Sequence, residues 1–443
     1  MSRRTSRASC GAALALLCAL AGTARADDDA ASVARGLADG RVTPADAAAA
    51  WRRLKTEPDE ALELVRGLPL ETAPATSHST TLTGPGGATT DALVILPKDG
   101  PDERGRFAVL VLLHGIGGDA KQCVPFADLF APPHTICVAP SATLPPNSED
   151  PEDLRRASTY GVDVMKSFKH WWSYRETAWP LLALDYVQRR YRVDTNKVRI
   201  MGYSMGGFGT WNIGLRYHDR FACMAPMAGA CSREEMYPLL GKDPLTRLLL
   251  DNAAAIPLFV LHGDEDEVVG VQSDRWSDEQ LRPKKLPDYT YHEVKGGKHI
   301  LLSFLKVTDP IVLRFRDWVA TRTRDAHPKR VVHRALATYH GSAFWVRIDE
   351  LRGDSGKVVA ELAGKNQLQI TTEGVSKLTL FLDPEVVDPK KRLQVAIDGR
   401  MAFKDTVKAS HQAVAESFAR THDPQLTYAH MVTLDVPPPG GSR

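Results

Sequence analysis

The apolar positions along this chain change period several times, and each change marks an element. Residues 27–75 are rich in Ala at helical spacing. This predicts two short helices, at 45–54 and 59–66, the first opened by Thr43 and Pro44. Alternation over 78–97 predicts a hairpin turning at Gly84 to Gly87. Continuous apolar runs then recur at 107–113 and 257–261, and Val198, Ile200 and Met201 read as a further buried strand. Runs of that length next to Gly predict strands buried on both faces, as in a parallel sheet. A fourth strand ends at Pro140, another is expected at 289–294, and a helix at 310–322. Past Pro328 the period becomes two. Strands are expected at 344–348, 358–362, 368–372, 378–382 and 393–397, with turn signals at 353–356, 364–366, 383–384 and 398–399. Helical spacing returns at 410–421, and the tail ends in Pro437, Pro438 and Pro439 before Gly-Gly-Ser-Arg. The predicted organisation is a helical segment at 27–75, a catalytic domain at 76–325, a small β-rich domain with a closing helix at 330–421, and a flexible tail at 422–443.

The N-terminus modifies this picture. Arg3, Arg4 and Arg7 precede an apolar stretch at 11–22 and the small-residue run Ala24, Arg25, Ala26. That pattern reads as a secretory signal over residues 1–26, too short to span a bilayer. The expectation is an exported protein, periplasmic or secreted, with no stable membrane anchor. The 56 Lys+Arg against 54 Asp+Glu give a net +2, and without the four Arg of residues 1–26 the balance turns slightly negative. No basic stripe or tail is present, so nucleic acid is not an expected partner. No His/Cys/Asp/Glu run has metal-ligand spacing, and neither metal nor cofactor is expected. Cys123, Cys137, Cys223 and Cys231 follow the leader. Pairing within Cys123/Cys137 or Cys223/Cys231, and burial as core thiols, both stay open.

Four ordered motifs carry the chemistry. The run ending at Met201 opens into Gly202-Tyr-Ser204-Met-Gly206 and then helical spacing. A strand turning sharply into a helix needs glycines two residues either side of an exposed serine, because a Cβ there would clash. The turn aims the helix N-terminus at any oxyanion formed on the serine's substrate. Upstream, the strand at 107–113 runs into His114-Gly115-Ile116-Gly117-Gly118, a flexible backbone where an oxyanion-binding N–H is needed. Downstream, the strand at 257–261 opens into His262-Gly-Asp264-Glu-Asp266, and the strand at 289–294 into Gly296-Gly-Lys-His299. The chain order is Ser, Asp, His.

On these four motifs, residues from about 80 to 322 resemble an α/β-hydrolase. More narrowly they resemble the dienelactone hydrolases, polyhydroxybutyrate depolymerases and prolyl-oligopeptidase-like serine hydrolases. The resemblance implies a mostly parallel eight-stranded sheet with helices on both faces, followed here by a small all-β domain. It implies Ser204 as nucleophile, His299 as general base, Asp266 as its orienting acid, and the N–H groups of Met205 and Ile116 as oxyanion donors. The family's His-Gly-x-x-Asp spacing favours Asp266 over Asp264, which then caps a loop, and over Asp274, expected on the next helix. His292 is expected within a strand rather than as the base. His114, Trp171 and Trp172 are candidate substrate-binding residues; the open alternatives are that His114, like His262, is a strand-end histidine that hydrogen-bonds the loops, and that the tryptophans belong to a packed lid that only excludes water. The two tryptophans lie in the irregular segment 140–177, at the sheet edge where ligands bind in such folds.

The expected activity is carboxylic ester hydrolysis through an acyl-enzyme, on a small-molecule or polymeric ester. The alternative within the superfamily is a peptidase, although there is no room ahead of the domain for a propeller. The alternative of another class is a non-catalytic binding protein working through the β-domain. With no exposed aromatic row readable there, a structural role for that domain is expected.

Overall fold

The computed structural model describes residues 29–68, 70–84, 87–143, 171, 174–231, 246–284, 286, 288–300 and 305–438. The leader at 1–26 and Trp172 lie outside the described residues. Three helices come first: α1 (Ala30–Ala38), α2 (Pro44–Arg53) and α3 (Pro58–Arg66). Thr43 caps α2 by accepting the Asp46 N–H, with Pro44 in the first turn. Their apolar faces meet around Trp51, which is fully buried.

The large sheet contains eight strands: β1 (His78–Thr83), β2 (Thr89–Ile95), β3 (Phe107–Leu113), β4 (Thr135–Pro140), β5 (Val193–Tyr203), β6 (Cys223–Met227), β7 (Leu258–Gly263) and β8 (Tyr289–Val294). Their spatial order is β1-β2-β4-β3-β5-β6-β7-β8. β2 runs antiparallel to both its neighbours, and β4 through β8 are mutually parallel. With β1 at one edge, this is the α/β-hydrolase sheet. The helices are α4 (Val124–Phe130), α5 (Tyr174–Arg190), α6 (Met205–Arg216), α7 (Gln272–Leu281) and α8 (Pro310–Thr321). β3, β4, β6 and β7 are almost wholly buried because apolar cores cover both faces. One core packs against α5 and α6, the other against α4 and α8. This is the physical reason for their uninterrupted apolar runs. Cys123, Cys137 and Cys223 are free buried thiols within the second core.

Two further sheets follow: β9 (Arg330–Ala335), β10 (Ser342–Ala343), β11 (Val346–Leu351), β12 (Gly356–Gly364), β13 (Gln367–Glu373), β14 (Val375–Leu382), β15 (Leu393–Ile397), β16 (Arg400–Asp405) and, later, β17 (His430–Asp435). Their orders are β16-β15-β13-β12-β9 and β10-β11-β14-β17. Alternate residues are buried, such as Leu368 and Ile370 on β13 and Leu393, Val395 and Ile397 on β15. Each sheet thus presents one apolar face.

The structure corrects the C-terminal expectation in two ways. The helix α9 (His411–Thr421), capped by Ser410, is not the close of the β-domain. Val414, Ala415 and Phe418 pack into the cluster of α1, α2 and α3, and His411 Nε2 donates to the Thr56 carbonyl. Among the described residues, those of 29–68 and 409–429 form one compact unit, and those of 70–408 with 430–438 another. The tail is also not uniformly flexible, because β17 pairs in full antiparallel register with β14. No helix among the described residues is long and apolar enough to cross a membrane.

Candidate active site

The chain reverses at Ser204 between β5 and α6, and the serine adopts φ 57°, ψ −119°. That conformation is strained for a residue with a side chain. The neighbouring glycines permit it. A Cβ at Gly202 would run into the Gly206 carbonyl, and one at Gly206 into the Leu113 carbonyl. Ser204 N–H donates to the Met227 carbonyl at 2.9 Å, which ties the elbow to β6.

Two loops bring the remaining groups to it. Asp266 follows β7 and His299 follows β8. The loops are latched by backbone bonds, from Asp264 N–H to Val294 O at 3.2 Å and from Glu265 N–H to Gly297 O at 3.0 Å. Gly263 and Gly297 approach so closely that a Cβ on Gly263 would overlap the Gly297 carbonyl. Asp264 Oδ1 accepts the Gly296 N–H at 2.6 Å, so this carboxylate braces the His299 loop.

His299 Nδ1 lies 2.7 Å from Asp266 Oδ2, and His299 Nε2 lies 3.0 Å from Ser204 Oγ. A carboxylate only accepts, so Nδ1 carries a proton and Nε2 faces the serine hydroxyl. Asp266 is buried, and burial alone would raise its carboxyl. Hydrogen bonds from His262, from His299 and from the Val269 and Val268 N–H groups outweigh burial and hold it far below the usual carboxylate range. The Asp266 side chain is fully enclosed, while the His299 side chain is 13% exposed, so the ring sits at the floor of the site.

The loop after β3 lies against the serine: a Cβ on Gly115 would reach Ser204 Cβ at 3.6 Å. Gly115 to Gly118 form a tight turn, with Gly118 N–H donating to Gly115 O at 3.3 Å and Gly117 at φ 71°. Gln122 Oε1 accepts the Gly115 N–H at 2.8 Å. Ile116, at the turn's second position, uses its N–H in neither bond. Met205 opens α6, where N–H groups have no acceptor within the helix.

Two of the candidate substrate-binding residues have other work. His114 is 1% exposed; its Nδ1 bonds the Gly115 carbonyl at 2.7 Å, and its Nε2 accepts the Ala142 N–H at 2.9 Å. Trp171 is fully buried, donates Nε1–H to the His114 carbonyl at 3.1 Å, and lies over Gly209 of α6. Their aromatic and apolar character reflects packing behind the loop, which corrects the expectation that they line a ligand pocket. His292 lies within β8, as its spacing suggested. Asp274 lies on α7, pointing at His262.

Sequence reasoning missed three supporting residues. Gln122 braces the Gly115 turn. Tyr203 donates its hydroxyl to the His299 carbonyl, with its ring centroid 5.2 Å from the imidazole. His262 lies behind Asp266, its Nε2 at 3.4 Å from Asp266 Oδ2. Tyr203 occupies the free position of the serine motif and His262 heads the acidic loop, so both were visible as residues but not as contacts. Among the described residues no group of three or more His, Cys, Asp or Glu side chains is placed to hold a metal ion.

Comparison with known proteins finds partial matches. Residues 87–299, just under half of the chain, match the family model described as "Putative esterase". An uncharacterized secreted protein of Arthroderma benhamiae is 34% identical over 116 residues, 23% of this chain and 12% of that protein. A bifunctional acetylxylan esterase/xylanase of Neocallimastix patriciarum is 26% identical over 98 residues, 22% of this chain and 12% of that protein. The alignments thus span about an eighth of these relatives' lengths. Among solved structures, S-formylglutathione hydrolase from Staphylococcus aureus is 18% identical with a TM-score of 0.39, covering 56% of this chain and 99% of its own.

Proposed function

We propose that this α/β-hydrolase, an esterase-like serine hydrolase, cleaves carboxylic esters through an acyl-enzyme on Ser204. The observation that carries the reading is the continuous chain from Ser204 Oγ through His299 to Asp266, with contacts of 3.0 and 2.7 Å. Ser204 Oγ attacks the ester carbonyl carbon as its proton passes to His299 Nε2. The resulting imidazolium is stabilised by Asp266, whose carboxylate its surroundings keep ionised. The oxyanion is held by the Met205 and Ile116 N–H groups. The positive end of α6 adds to that stabilisation. His299 then protonates the leaving alcohol. A water, deprotonated by the same ring, attacks the acyl carbonyl and releases the acid and the free serine.

The family match supports ester over peptide as the substrate. The loops that carry these groups also carry three of the most exposed large apolar side chains among the described residues. They are Ile116 at 60%, Val268 at 59% and Ile300 at 62% exposure. Apolar side chains at that position favour an ester with an apolar acyl or alcohol part. Export through the leader at 1–26 belongs to the same reading, and the secreted relative supports it.

The test is a panel of p-nitrophenyl esters of increasing acyl length beside peptide p-nitroanilides. The expected result is turnover of esters, with kcat/KM rising beyond acetate, and at least about a hundredfold less on the anilides. Preferential cleavage of the anilides would replace the esterase reading with a peptidase.

A further inference from the structure

Behind the Ser204, His299 and Asp266 chain lies a buried pair that the mechanism does not use. His262, the last side chain of β7, and Asp274 of α7 are both fully buried. Their contact is 2.7 Å, from His262 Nδ1 to Asp274 Oδ2. On the other side of the ring, Nε2 lies 2.8 Å from the Val269 carbonyl. A carbonyl only accepts, so Nε2 carries a proton. That same N–H is 3.4 Å from Asp266 Oδ2, the oxygen that receives the His299 bond. Trp211 Nε1–H donates to Asp274 Oδ1 at 3.3 Å, which leaves Oδ2 facing His262 Nδ1. With that carboxyl ionised, the ring facing it carries a second proton.

We propose that His262 is a positioning residue, held as an imidazolium between Asp274 and Asp266, and that it keeps Asp266 ionised and aimed at His299. The pair adds no net charge to the core, which is how two buried charges are tolerated. Its positive member is the nearer one to Asp266. It therefore favours the Asp266 carboxylate and opposes a second positive charge on His299. This rests on the reading of Ser204, His299 and Asp266 given above.

Burial opposes a charge on His262, but hydrogen bonds to Asp266 and Asp274 raise the ring to about 10. Burial, together with the nearby Asp266 charge, holds the Asp274 carboxyl above its ordinary range, and the His262 ring and the Trp211 N–H pull it back toward ionisation. The other titratable groups facing the pair hold one charge state between pH 5 and 9. Glu293, beside His262 in the β7–β8 register, is held low by a paired hydrogen bond from Arg275. Tyr289, Tyr291 and Tyr203 are raised by burial and stay neutral. His292 neighbours Leu261 in that register and projects to the opposite face of the sheet.

The Asp274→Asn variant separates this role from simple packing. The amide keeps an oxygen for Trp211 and offers an N–H to His262 Nδ1, so the ring becomes neutral in nearly the same place. Removing the positive charge behind Asp266 favours protonation of His299. The expected result is an acid limb of kcat/KM for p-nitrophenyl ester hydrolysis moved to higher pH by about one unit, with KM unchanged. A limb that superimposes on the wild type overturns the proposal. If the variant does not fold, 15N-histidine NMR of the full wild-type chain decides, with His262→Asn used for assignment. A doubly protonated His262 ring that persists to pH 9 supports it, and a neutral ring at pH 7 overturns it. An inactive wild type would instead remove the esterase reading, and the NMR result would still stand on its own.

Discussion

At the scale of single residues, small side chains carry as much of the site as reactive ones. Gly202 and Gly206 make the elbow sterically feasible, and Gly263 and Gly297 let two loops touch. These were legible, because a glycine at fixed distance from a serine or histidine is a local signal. Gln122 was not legible, because nothing in its neighbours announces that its amide reaches back seven residues to the Gly115 N–H. Its role yields a sharp expectation. Gln122→Ala leaves the Gly115 N–H without its partner and loosens the turn that presents Ile116. We expect kcat for short esters to fall about ten- to a hundredfold with KM nearly constant, since the loss falls on oxyanion stabilisation. Steady-state kinetics check it, and a rise in KM at constant kcat would place Gln122 in substrate binding instead. His114 and Trp171 show the converse error. Their position at the sheet edge suggested ligand contact, but their polar atoms are spent on Gly115, Ala142 and each other.

At the scale of elements, the period of the apolar positions found most strands with a buried face, passed over the buried β9 beside the Pro328 linker, and lost the exposed edge strand. β3, β4 and β7 stand out because both their faces are covered. β12 to β15 stand out because they alternate. β16 was not separated because it is an exposed edge strand, reached through the Asp398-Gly399 turn with both residues at positive φ. β17 was read as tail because Leu434 is its one buried side chain. Its place comes from pairing with β14, about fifty residues earlier in the chain. The same reason hid the partner of α9. An amphipathic helix declares that one face is buried but not what covers it. The α6 helix was legible in place and direction, and with it the candidate nucleophile. The acid-bearing loop was legible too, while its support by His262 and Asp274 needed the packing of α7 against β7.

At the scale of the larger unit, the β-sheets join the hydrolase sheet through buried polar contacts. Asn252 is fully buried and bonds the Leu215 carbonyl and the Arg334 backbone. The Phe344 N–H reaches Asp219 at 3.0 Å. His218 and His333 meet at 3.2 Å, and His333 Nε2 donates to the His340 carbonyl at 2.8 Å. Burial lowers His218 to about 4 and His333 to about 3. An unfolded chain takes up these protons as pH falls below about 6.5, while the folded chain does not until about 4. Stability therefore falls as pH drops from 6.5 toward 4, by an amount on the order of a few kcal/mol. Denaturant unfolding at pH 7.5, 6 and 4.5 measures it. His218→Gln, which keeps a donor toward His333, is expected to flatten the dependence. Equal slopes in the two proteins would place the acid sensitivity elsewhere. The Asp266 carboxylate, held low, contributes above its unfolded range and loses that contribution only below about pH 4, in a separate window.

Every step of the proposed reaction depends on Ser204 as the nucleophile, and one comparison tests that role most directly. The wild type and Ser204→Ala are treated with a fluorophosphonate, the adduct is located by peptide mass spectrometry, and p-nitrophenyl butyrate hydrolysis is followed in parallel. The predicted result is stoichiometric labelling on Ser204 in the wild type. The variant is predicted to show no labelling and a loss of at least about a thousandfold in kcat. Label on another residue, or a variant that hydrolyses the ester at a comparable rate, would contradict it.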